Sequence, residues 1–171
     1  GMLLSRVIRP ACLIWGLKLP PLENNLPVMI RFISTEDTLS LRSAVLREGI
    51  APELCRFDGD DDENTFHLGY YEDDELICIG SFHKQGKEGY SGEGYQLRGM
   101  ATREDYQGKG IGNQLLNFAI VYLRGRKVNY IWCNARINAC RFYLGIGFEI
   151  ISDEFEIVGV GPHREMYLKS Q

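Results

Sequence analysis

No stretch of this 171-residue chain holds an uninterrupted apolar run of about 18 residues, the length a membrane-spanning helix needs. Its five cysteines, Cys12, Cys55, Cys78, Cys133 and Cys140, contain no C-x-x-C pair. Its three histidines, His67, His83 and His163, lie far apart. The sequence therefore predicts neither a zinc motif nor any other bound metal. An odd, scattered set of cysteines fits reduced thiols and a cytoplasmic setting. Net positive charge is also missing: the formal charge is −4. That argues against a chain-wide role on nucleic acid or on an anionic membrane, although it allows a local basic pocket. Internal repeats are absent.

Proline is scarce beyond residue 28, because four of the six prolines (Pro10, Pro20, Pro21 and Pro27) precede it. Residues 11–19 follow Arg6 and Arg9 and imitate a signal peptide, but they run into Pro20-Pro21 rather than a small-residue cleavage site. Gly1 ahead of Met2 reads as a cloning remnant. Residues 1–28 are thus expected to be an N-terminal extension, either an ordered arm or sequence upstream of a natural start at Met29. Residues 29–171 are expected to form one domain, since 44% apolar and 25% charged residues suffice for a core.

Within that domain, residues 29–34 alternate as a first strand. Ser34 to Asp37 reads as a helix start, and Gly49 as the end of that helical region. Residues 50–64 read as a loop or broken helix whose acidic members, Asp58, Asp60, Asp61, Asp62 and Glu63, form a solvated run. A calcium loop is excluded because Glu63 stands where its glycine belongs. Strands are expected over 65–71, 75–83, 95–102, 128–133, 148–155 and 165–168. Helices are expected over 110–124 and 138–144. The order predicts an α/β domain with a mixed sheet.

The strongest local signal is Gln107-Gly108-Lys109-Gly110-Ile111-Gly112, between a strand and a helix. Glycines admit a bulky anion close to the backbone, and a helix N-terminus offers unpaired N–H groups. The spacing fits neither a Walker loop nor a dinucleotide fingerprint. A turn with no ligand remains open on the hexamer alone.

The hexamer does not stand alone. The segment LRGMATREDYQGKGIGNQLL is followed by NARINACRFYLGIGF and then GVGPHREMYL. In order and spacing these blocks resemble the GNAT acetyltransferases, whose coenzyme A signature is Gln/Arg-x-x-Gly-x-Gly/Ala. The resemblance covers residues 97–167. It implies a GNAT fold: a mostly antiparallel mixed sheet, splayed between strands 4 and 5 and flanked by helices. It also implies acetyl-coenzyme A as co-substrate. The diphosphate would rest on Gln107, Gly108, Lys109, Gly110, Ile111 and Gly112. Met100, Ala101 and Thr102 would meet the acetyl-pantetheine end through their backbone, and Asn138 and Phe142 the pantetheine arm. Tyr143 falls on the family tyrosine that protonates the leaving thiolate, with a packing role as the alternative.

The expected reaction is direct attack by a primary amine, of a small molecule or a protein, in a ternary complex. The amine must lose a proton, yet Gln96 stands where some relatives carry a glutamate, so the sequence identifies no base. Alternation on strand 4 groups Gln96, Arg98 and Met100 on one face. Arg98 is then a candidate for a substrate carboxylate or for a neighbouring acidic side chain. His163 is a candidate substrate contact or a structural histidine. A homodimer follows from the family habit alone. A longer-chain acyltransferase, and an acyl-coenzyme A sensor or interaction module without catalysis, are the competing readings.

Overall fold

Eight strands, β1 (Met29–Ile33), β2 (Phe66–Glu72), β3 (Glu75–Lys84), β4 (Gly94–Thr102), β5 (Tyr130–Arg136), β6 (Glu149–Ile150), β7 (Phe155–Ile157) and β8 (Gly161–Lys169), build one sheet in the order β1-β2-β3-β4-β5-β8-β6, with β7 on β8. The computed structural model describes residues 29–171; the expected N-terminal extension and the signal-like run lie outside the described residues. β1 (Met29–Ile33) pairs antiparallel with β2 (Phe66–Glu72), and β2 with β3 (Glu75–Lys84). The β2–β3 turn places both Asp73 and Asp74 at positive φ, as a two-residue hairpin loop requires. β4 (Gly94–Thr102) continues the antiparallel run.

Between β1 and β2, Ser34 caps α1 (Thr35–Leu41) in a reciprocal box with Asp37. A π-helical turn, Arg42–Leu46, extends it. The acidic run that follows departs from the solvated loop expected of it. Asp60 is buried against the sheet, where Arg42 grips it, and only its neighbours face water.

A turn after β4 leads to α2 (Ile111–Gly125), which buries Ile111, Leu115, Leu116, Ala119, Ile120 and Leu123 against one sheet face. Each fully buried leucine there contributes about 2 kcal/mol. β5 (Tyr130–Arg136) follows, then a 3-10 turn (Ile137–Ala139) and α3 (Cys140–Ile146), closed by Gly147 at φ 118°. The single strand expected over 148–155 is instead two short ones, β6 (Glu149–Ile150) and β7 (Phe155–Ile157). β7 turns back tightly into β8 (Gly161–Lys169), which also runs longer than expected.

Two features of β4 set up the site. First, β4 pairs with β5 in parallel only over Gly94, Gln96 and the residue between them. Gly94 is required there, because a Cβ would lie 2.3 Å from the Tyr130 ring. Beyond Gln96 the two strands part, and β5 gives its full length to β8. Second, β4 carries an extra residue between Arg98 and Ala101, with Gly99 at φ 63°. A side chain at Gly99 would meet the Phe57 ring at 2.9 Å.

This bulge corrects the expected alternation. Arg98 lies over the Phe57 ring on the α1 side of the sheet. Met100 packs beside Gly80, Gly112 and Phe142 on the α2 side. The two residues therefore do not share a face.

Candidate functional site

Parting β4 from β5 opens a cleft of about 960 Å³ through the sheet. On the α2 side its wall is the turn after β4. Gly108 and Gly110 adopt φ 78° and 79°, a left-handed backbone that glycine tolerates best. Gly110 is the N-cap of α2 and offers no side-chain cap. Among the described residues, no protein group accepts from the N–H groups of residues 108–113. Gln107 is exposed, its side chain donates to Thr102 O at 2.9 Å and its own N–H to Glu104 O at 3.3 Å, so the free amides begin at residue 108. A Cβ on Gly108 or Gly110 would enter open space. The turn is therefore a concave row of unpaired amides at a helix N-terminus, an arrangement that fits a diphosphate. Lys109 is exposed beside it, with Nζ 5.0 Å from the Tyr106 ring centroid.

The floor brings together residues from three elements. Met100, Ala101 and Thr102 supply the released edge of β4, with Ala101 buried beneath Leu41. From α3, Phe142 lies across Gly112 and Met100 and meets Tyr143 edge to face at 5.0 Å. Asn138, in the 3-10 turn, is exposed at the rim. Ile111 and Gly112 also line the cleft. Sequence reasoning thus assembles one site from distant segments, except that Lys109 stays outside the cleft wall.

Tyr143 is buried, and that burial, with the Cys133 thiol beside it, pushes its phenol well above the ordinary range. It stays protonated and offers an O–H donor at neutral pH. Burial likewise pushes the Cys133 thiol up, which leaves it a poor nucleophile. Among the described residues the cysteines are all free and buried.

His163 is nearly buried on β8 and lines the cleft. Its Nδ1 sits 2.7 Å from Gly161 O. A carbonyl only accepts, so Nδ1 carries a hydrogen, and in the neutral ring Nε2 is the acceptor.

The α1 side of the cleft is cationic. Arg47, Arg98 and Arg136 line it, and no aspartate or glutamate does. Arg136 donates to Leu46 O at 3.0 Å, tying β5 to the π-helical turn. Arg98 is half-buried with its guanidinium 4.3 Å from the Phe57 centroid. The acidic partner offered by sequence reasoning is missing: among the described residues none of these three arginines forms an ion pair. Gln96 and Arg98 also line a second cavity of about 360 Å³, shared with Asp58, Asp62 and His83. Sequence reasoning missed Arg47 and Arg136. Nothing in the pattern around Arg47 marks it, whereas Arg136 sits inside the block preceding α3.

Behind Arg98 lies a buried polar cluster. Arg42 donates to both Asp60 oxygens, to Cys55 O at 3.0 Å and to Ser81 Oγ at 2.8 Å. His67 donates from Nε2 to Asp60 O at 3.0 Å and receives the Ser81 hydroxyl at Nδ1. His83 Nε2 lies 3.2 Å from Asp60 Oδ1 without completing a hydrogen bond to it. Arg42 also stacks on Phe57, 3.9 Å from its centroid.

Comparison with known proteins agrees with this geometry. Residues 33–148 match the family described as Acetyltransferase (GNAT) family. An uncharacterized N-acetyltransferase of Bacillus subtilis (strain 168), YitI, is 37% identical over 139 residues, covering 81% of this chain and 93% of its own. Two solved structures share the fold. One is an aminoglycoside 6'-N-acetyltransferase complexed with coenzyme A (TM-score 0.65, 14% identity, 84% of this chain and 97% of that one). The other is an N-acetyltransferase from Staphylococcus aureus Mu50 (TM-score 0.65, 16% identity, 84% and 98%). Among the described residues no helix is long and apolar enough to cross a membrane, and no residue group could hold a metal. With a family match over most of its length, a relative sharing over a third of its residues, and a sheet that parts where the motif lies, this chain belongs to the GNAT acetyltransferase family.

Proposed function

We propose that this chain moves an acetyl group from acetyl-coenzyme A to a primary amine of a small molecule or protein, by direct attack in a ternary complex. One observation carries the reading: unpartnered amides over residues 108–113 open onto a cleft that reaches the buried Tyr143.

In this reading Gln107, Gly108, Gly110, Ile111 and Gly112 frame the diphosphate, with Lys109 adding charge at the rim. Asn138 and Phe142 hold the pantetheine arm. The freed backbone of Met100, Ala101 and Thr102 holds the thioester, and an N–H of Ala101 or Thr102 meets its oxygen as charge builds there. The amine attacks the carbonyl carbon, the carbon–sulfur bond breaks, and Tyr143 donates to the departing sulfur.

The amine must also lose a proton, and no carboxylate lines the cleft. His163, with Nε2 free to accept, is the group on the wall able to take that proton, directly or through a water. This supports catalysis over a sensor role, which would need no proton acceptor.

Calorimetric titration with coenzyme A, followed by thiol release from acetyl-coenzyme A across a panel of amines, tests the proposal. Binding together with amine-dependent release is expected. Tight binding with no release for any amine would leave a sensor. A site for longer acyl chains would show as faster release from those thioesters.

A further inference from the structure

We propose that the acceptor amine carries a carboxylate and that Arg98 holds it. The inference rests on the acetyl-transfer reading above and adds the substrate class.

Every side-chain ion on the wall of the larger cleft is an arginine. The diphosphate cradle lies on the α2 side of the sheet, whereas Arg98 faces the α1 side with Phe57. Arg136 faces that side too, through its bond to Leu46 O. These cations are therefore surplus to coenzyme binding. Arg98 gives up much of its water to the half-buried site, and among the described residues it gains neither a carboxylate nor a side-chain hydrogen bond in exchange. A substrate carboxylate meeting the guanidinium fork in two parallel hydrogen bonds supplies what is missing. Burial pulls the Arg98 pKa down; nearby Asp60 opposes it, Arg42 adds to the lowering and Asp58 opposes it more weakly, and the net direction is downward.

The guanidinium is also held in place. Its plane rests on Phe57, which Arg42 stacks on as well, and Arg42 is locked by Asp60. A fixed fork recognises a planar anion at lower entropic cost than a free one. The smaller cavity behind Arg98 presents Asp58 and Asp62, which repel an anion. The carboxylate therefore lies on the cleft side, where Arg47 and Arg136 add to the field. Along β4, Arg98 stands three positions from Ala101, but the bulge leaves them opposite β3 residues two apart, Ser81 and Ile79, about 7 Å of strand. A carboxylate on the arginine thus leaves room for a short carbon chain before the amine meets the thioester. The fitting class is a small carboxylated amine, such as an amino acid.

The test is binding to coenzyme A-saturated protein. Amino acids, their carboxamides and the matching decarboxylated amines are titrated calorimetrically, with phosphoethanolamine as the phosphate-bearing counterpart. At least one acid is expected to bind roughly tenfold or more tightly than its amide, the scale of a charged hydrogen-bonded pair. R98Q should erase that difference and leave coenzyme affinity unchanged. R98K, which keeps the charge without the fork, should restore only part of it. Acids and amides binding alike, an unaltered preference in R98Q, or phosphoethanolamine binding in place of every acid would each overturn the assignment. Selective acid binding without thiol release would sink the transfer reading and leave this one standing. Release with neutral amines and no preference for acids would do the reverse.

Discussion

Arg42 and Asp60, eighteen positions apart in the chain, meet in two parallel hydrogen bonds of 2.6 and 3.0 Å with both side chains almost wholly out of water. Burial alone would raise the Asp60 carboxyl, but the His83 ring at 3.2 Å and the hydrogen bonds from Arg42 and the Phe57 N–H outweigh it and hold the group well below the usual carboxylate range. The pair pins the acidic loop to the sheet and so positions Phe57 beside Arg98. Removing one partner strands the other charge in the interior. D60A should lower the unfolding free energy by about 3–5 kcal/mol, measured by urea denaturation. A loss below about 1 kcal/mol, typical of an exposed pair, would contradict the buried geometry.

The same cluster makes stability fall on the acid side in two stages. Burial first, opposed by Asp60, holds the His67 pKa below its ordinary value of 6.5. The unfolded chain therefore binds the proton more readily, and the stability from neutral His67 is complete above about pH 6.5 and erodes below it. Asp60 has the depressed pKa of a paired carboxylate, so its contribution persists down to about pH 4 and is lost only below that. The thermal midpoint of the wild type should decline between pH 7 and 5 and again below 4. H67Q should flatten the first decline only; an unchanged first decline would remove His67 as its source.

Gly110 separates cradle from scaffold. Its φ of 79° favours glycine, and a Cβ there touches nothing in the protein. G110A should cost about 1 kcal/mol of stability through the backbone alone. G110W should project into the space assigned to the diphosphate and abolish coenzyme A binding, read by calorimetry. Tight binding by G110W would move the anion elsewhere.

Tyr143 offers a split between rate and affinity. Its ring packs against Phe142 and Phe148, and phenylalanine preserves both contacts. Y143F should lower turnover by 100-fold or more, roughly the worth of a positioned general acid. Coenzyme A affinity should stay near wild type. Equal losses in both would assign the tyrosine to packing.

His163 separates proton acceptance from architecture. Because Nδ1 is committed to Gly161 O, H163Q can keep that bond while losing the acceptor nitrogen. Turnover should fall about 100-fold with amines that enter protonated, and far less when the pH is raised enough to supply neutral amine. A loss that does not diminish with pH would leave His163 a structural residue.

Much of this architecture is legible in the residues. The Ser34–Asp37 box, the stripe from Ile111 to Leu123 and the glycine turn ahead of it are local patterns, and local physics decides them. The parted strands follow from the family resemblance, and Gly94, bare against Tyr130, lets the short pairing form at their start. What was hidden depends on distant partners. Asp60 looks like its four acidic neighbours until Arg42 reaches it, and alternation along β4 holds only until Gly99 inserts one residue. The unpaired arginines are equally illegible, since a lack of neighbours leaves no trace in spacing.

That single odd residue at Gly99 has an evolutionary reach. It makes one strand a two-sided component, with Arg98 turned to the α1 side of the sheet and Met100 to the α2 side. Drift at positions 96 and 98 can retune which nucleophile is admitted without reshaping the half that grips the donor. A lineage could thus trade acceptors while its donor grip stays fixed.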